Sequence, residues 1–91
     1  MLKAVKKFLS QEASATVDVL SRLIETRTVN PPGDEHLVAA IVREVFDSAG
    51  IPYEIFEKEE GRTNVVARVG PASGQKVLIS CHADTVPAGE D

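Results

Sequence analysis

Cysteine is nearly absent from the 91 residues. Cys81 stands alone, so no internal disulfide can form and cysteine usage does not set the redox compartment. No apolar run approaches the length of a membrane span. Met1 to Phe8 offers lysines, but Ser10, Gln11 and Glu12 follow where a secretory signal needs an apolar stretch. With nothing pointing elsewhere, the expected location is cytoplasmic. Positive charge is also in short supply. Ten Lys and Arg face fourteen Asp and Glu, for a net charge of −4, and the basic residues are scattered. Binding phosphates needs clustered cations, so neither a nucleic acid nor a membrane is an expected partner. Lys3, Lys6 and Lys7 are the one basic group, and they read as a solvated helix face.

What is present is an ordinary globular composition, 43% hydrophobic and 26% charged, in a chain long enough for one small domain of marginal stability. Ala13, Val17, Leu20, Leu23 and Ile24 recur at three- and four-residue steps, predicting an amphipathic helix over about residues 3–28. Pro31 and Pro32 stop it. Leu37, Val38, Ile41, Val42, Val45 and Phe46 form the stripe of a second helix over about 34–49, with Asp34 placed to cap it and Gly50 to end it.

Strands are expected at about 52–57 and 63–69, separated by the polar turn Glu59-Glu60-Gly61-Arg62. The continuous apolar run of residues 76–81 suits a third strand covered on both faces. The fold class is therefore α/β: two helices packed on a small, mostly parallel or mixed sheet.

That third strand leads into His82-Ala83-Asp84, where α/β sheets commonly place ligands. Residues two apart on an extended chain project to one side, so the His82 ring and the Asp84 carboxylate can meet. His82 would then coordinate a metal through one ring nitrogen while Asp84 accepts a hydrogen bond from the other. A loop-capping aspartate beside a surface histidine gives the same triplet, and the residues alone leave both readings open. Cys81 faces the opposite side and is expected to be a small buried hydrophobe, neither a ligand nor a thiol nucleophile paired with His82. His36 reads as a solvated side chain.

The run Val77-Leu78-Ile79-Ser80-Cys81-His82-Ala83-Asp84-Thr85-Val86-Pro87-Ala88-Gly89 resembles the first signature of a zinc-dependent peptidase and deacylase family. That family contains acetylornithine deacetylase, succinyl-diaminopimelate desuccinylase, aminoacylase and glutamate carboxypeptidase. Thr28-Val29-Asn30-Pro31-Pro32-Gly33-Asp34-Glu35, Ala49-Gly50-Ile51 and Gly61-Arg62-Thr63-Asn64-Val65-Val66-Ala67 are similar to further stretches of it, in the same order. Cys81 departs from the pattern, which commonly has glycine there.

The resemblance implies the N-terminal part of a three-layer α/β/α catalytic domain. It also implies two zinc ions, with cobalt or manganese as substitutes, and hydrolysis of amide bonds in N-acyl amino acids or short peptides. His82 would be a metal ligand and Asp84 a catalytic residue supporting it. The family's remaining ligands and general base follow the triplet in sequence. The expectation for residues 1–91 is thus an incomplete fragment, inactive alone and without tightly bound metal. The alternative expectation is a non-catalytic remnant or interaction module that pairs with a second copy as a homo-oligomer.

Overall fold

A computed structural model describes residues 1–89. Glu90 and Asp91 lie outside the described residues. The chain forms helix α1 (Leu2–Glu25), helix α2 (His36–Ala49) and strands β1 (Tyr53–Glu59) and β2 (Arg62–Ala67). The α/β class stands, and both helices fall where apolar periodicity places them.

Helix α2 begins at His36, two residues later than expected, and Asp34 does not cap it. Asp34 sits at φ +51°, and no side chain bonds to the helix start. The hairpin turn supplies the acceptor, since the His36 amide donates to the Gly61 carbonyl at 3.1 Å. At the other end Gly50 adopts the left-handed conformation (φ +68°), and the Ile51 amide donates to the Phe46 carbonyl at 2.9 Å.

Strands β1 and β2 pair antiparallel, with Tyr53 opposite Ala67 and a bulge between Glu57 and Glu59. This corrects the expectation of a mostly parallel or mixed sheet. Two residues, Glu60 and Gly61, join the strands, and a connection that short permits only antiparallel pairing. Gly61 takes φ +83°, and the Glu57 carboxylate accepts from both the Gly61 amide and the Thr63 hydroxyl, tying the turn down.

The strand expected at 76–81 is not formed. Val77, Leu78 and Ile79 are 90%, 88% and 90% exposed, and residues 68–84 enter no ladder. The reason lies in the layers. Such a strand needs neighbours on both faces, whereas α2 packs against β2 and α1 packs against α2, so the described elements provide only one covering layer.

The core is correspondingly small. Ala39 and Ile41 are its buried apolar side chains, and Phe46 meets Tyr53 with ring centroids 5.9 Å apart. Helix α1 buries no residue fully, and Leu2, Val5, Leu9, Val17, Leu20 and Ile24 leave an apolar stripe in the open. Among the described residues no helix is long and apolar enough to cross a membrane.

Candidate metal-binding corner

Beyond α1 the chain runs extended through Thr28, a fully buried polar residue. Here it meets the segment after residue 82 from the far end of the sequence. The Thr85 amide donates to the Thr28 carbonyl, and the Asn30 amide donates to the Thr85 carbonyl, both at 2.9 Å. These two bonds make a short parallel bridge between Val29 and Thr85. The Thr28 hydroxyl adds a third, donating to the Ala83 carbonyl at 2.9 Å. With its hydroxyl and carbonyl paired in this way, Thr28 is buried at reduced cost.

Side chains extend the network. Asn30 Nδ2 donates to Asp84 Oδ2 at 2.9 Å, and Arg62 Nη2 stands 3.8 Å from the same oxygen. Arg62 also holds Glu35, which is only 8% exposed: Nε donates to Oε1 at 2.8 Å. Oε2 lies 2.7 Å from the same nitrogen, but the N–H is not aimed at it, so Oε2 is buried without a hydrogen-bond partner. Gly33 makes this close approach possible. At φ +108° it turns the chain, and a Cβ there would fall 2.8 Å from Glu35 Oε2 and 2.9 Å from Arg62 Nε.

Asp84 Oδ1 faces His82. The His82 Nδ1 atom is 3.2 Å from Oδ1 and 2.8 Å from the Asp84 backbone carbonyl. A carbonyl can only accept, so Nδ1 carries the proton in this contact, which leaves the lone pair on Nε2. The His82 side chain is 85% exposed, so Nε2 is accessible. The Asn30 amide is the main influence holding the Asp84 carboxyl below its ordinary range. Partial desolvation opposes it, and the fields of His82 and Arg62 reinforce it.

The structure thus brings His82 and Asp84 together. Cys81, expected to be buried, is exposed, because the covered strand that would have hidden it does not form. His36 lies elsewhere, on α2 beside the hairpin turn, with Nδ1 3.4 Å from the Gly61 carbonyl. Among the described residues no group of three or more His, Cys, Asp or Glu side chains converges as a metal cage would. A catalytic zinc ordinarily takes three protein ligands, so these residues fit one ligand and its supporting carboxylate, not a whole site. A nearby depression of about 320 Å³ is lined by Glu35, Lys58, Glu59, Arg62, Thr63 and Asn64, and includes neither His82 nor Asp84.

Thr28, Asn30, Glu35 and Arg62 escaped functional notice in the sequence. Their visible signal was membership of the stretches around the Pro-Pro turn and the β2 start, which the structure draws to the triplet. No protein-family model matches the chain, nor does any curated protein or solved structure.

Proposed function

We propose that this chain is the N-terminal portion of the catalytic domain of a metal-dependent hydrolase. The substrates would be amide bonds in N-acyl amino acids or short peptides, as in the zinc-dependent peptidase and deacylase family its motifs resemble. The observation that carries the reading is the His82 ring: Nδ1 is occupied by Asp84, and Nε2 is accessible with its lone pair free. A carboxylate-supported imidazole is the usual second-sphere arrangement of a histidine metal ligand. Convergence adds support, since three separate motif stretches contribute Thr28, Asn30, Glu35, Arg62, His82 and Asp84 to one network.

In this reading His82 holds a divalent cation through Nε2, and Asp84 fixes the ring and raises its basicity. Bound there, such a cation supplies Lewis-acid chemistry for amide hydrolysis. The other ligands and the general base come from residues beyond those described. The three-layer architecture belongs to the same proposal. The bare run Val77-Leu78-Ile79 and the open stripe of α1 are the faces that further layers would cover.

The test is release of amino acid from N-acyl amino acids by the protein carrying this chain, with and without zinc. His82→Ala should lower zinc-dependent turnover by more than ~100-fold, beyond what loss of an outer-sphere partner causes. Unchanged turnover would refute the assignment. The exposed run at 77–79 also supports a second reading, a non-catalytic module that self-associates. A stable dimer in sedimentation, with no hydrolysis under any metal, would favour it.

A further inference from the structure

We infer that Asn30 is a positioning residue for the His82 corner, dividing the two oxygens of Asp84 so that just one remains for the imidazole. This rests on the reading of His82 as a ligand and Asp84 as its support. A free carboxylate has two equivalent oxygens and can rotate, so on its own it holds an imidazole loosely. Here the oxygens are not equivalent. Oδ2 accepts from Asn30 Nδ2 at 2.9 Å and sees the Arg62 guanidinium at 3.8 Å, while Oδ1 is 3.2 Å from His82 Nδ1.

The clamp has its own support. Asn30 is held by its backbone, whose amide donates to the Thr85 carbonyl at 2.9 Å, one residue from Asp84. Arg62 is held by Glu35, a buried carboxylate whose hydrogen bond is to that guanidinium. The carboxylate is therefore gripped by a side chain whose main chain is bonded to the same strand segment. His82 itself is largely in solvent, with no packing to fix its ring. Two contacts with Asp84 orient it: Nδ1 donates to the backbone carbonyl at 2.8 Å, which Asn30 does not touch, and Oδ1 stands 3.2 Å away on the carboxylate that Asn30 holds.

Asn30 can be altered without removing the bridge, because the bond to Thr85 uses its backbone amide. The experiment is ¹⁵N NMR of the His82 ring in the 91-residue chain in mildly alkaline buffer, where the imidazole tautomers are read from the two nitrogen signals. In the unaltered chain the two ring nitrogens should be well separated, Nδ1 protonated and Nε2 not. In Asn30→Ala and in the nearly isosteric Asn30→Asp, which sets a carboxylate against Asp84 Oδ2, the carboxylate contact is released and both signals should move part of the way toward averaged values, with the Asp84 backbone carbonyl still holding Nδ1. The Thr85 amide should keep its exchange protection.

Ring signals unchanged in either folded variant would overturn the inference. Lost Thr85 protection in both would also overturn it, by showing that Asn30 merely holds the bridge. The hydrolase reading fails separately. An unaltered protein that shows the ring signature but has no zinc-dependent amidase activity removes that reading and leaves the clamp in place.

Discussion

Gly33→Ala strikes the corner at its most crowded backbone position. The substitution carries two costs. At φ +108° an L residue is strained by ~1–3 kcal/mol. Its Cβ would also stand 2.8 Å from Glu35 Oε2 and 2.9 Å from Arg62 Nε, so the pair must separate or the loop must shift. Glu35 is buried and has its hydrogen bond from Arg62, and leaving a buried acceptor unpaired costs ~1–3 kcal/mol. Arg62, 37% exposed, can retreat into water, which places the second cost at the lower end.

Together they come to about 2–4 kcal/mol, a large share of the stability of so small a domain. With a urea dependence of ~1 kcal/mol per molar, the unfolding midpoint should fall by ~2 M or more, or the folded state should be lost. Gly74→Ala is the control. It has φ +98° with nothing within 4 Å, so it tests backbone strain alone, in an exposed loop free to relax. Helical circular dichroism against urea is the assay. Midpoints for the two variants within roughly 0.3 M of each other would refute the crowding argument.

Acid should loosen the corner through Asp84. Its carboxyl is held low by Asn30, so the unfolded chain takes up this proton at higher pH than the folded one. The stabilisation is complete above the unfolded value of ~3.9 and is lost as pH falls through the folded one. Asp84→Asn should remove this part of the acid sensitivity, and urea midpoints between about pH 7 and pH 2.5 that match the unaltered chain would count against it. Cys81 should react with a water-soluble disulfide reagent as fast in buffer as in urea, and strong native protection would contradict its exposure. Replacing Val77, Leu78 and Ile79 together by Thr should leave helical dichroism unchanged and lower the binding of a hydrophobic dye. A loss of helix would show that these side chains pack.

Helices were the most legible part of the fold. In α2 the stripe from Leu37 to Phe46 and the Gly50 stop are local signals, set by periodicity and by left-handed geometry that glycine accepts. The hairpin was legible for the same reason, since Glu60 and Gly61 fall between two β-branched or aromatic runs. Asp34 misled because the cap is tertiary: the Gly61 carbonyl, 25 residues from His36 in sequence, takes the role a nearby side chain would fill.

Residues 76–81 misled in the opposite way. Apolar continuity signals what a segment requires, a layer on each face, and not whether the described elements supply one. In the corner, the His82–Asp84 contact was legible because it spans two residues. The roles of Asn30 and Arg62 were not, because their partners lie 54 and 22 residues away along the chain.

The Val29–Thr85 bridge carries a consequence for the order in which the molecule assembles. It joins segments some 55 residues apart. Closing an unfolded loop of that length costs about 3.5 kcal/mol by (3/2)RT ln n, beyond a constant term. Once α2 and the hairpin exist, the flexible remainder is residues 30–35 and 68–84, about 23 residues, and the same term falls to about 2.8 kcal/mol. The bridge therefore closes after the rest has formed and opens before it, and the Thr85 amide should exchange faster than the amides of central α2. A nascent chain cannot orient His82 until residue 85 has emerged and found Thr28. Order at this corner is thus a late report that the helices and hairpin are already in place.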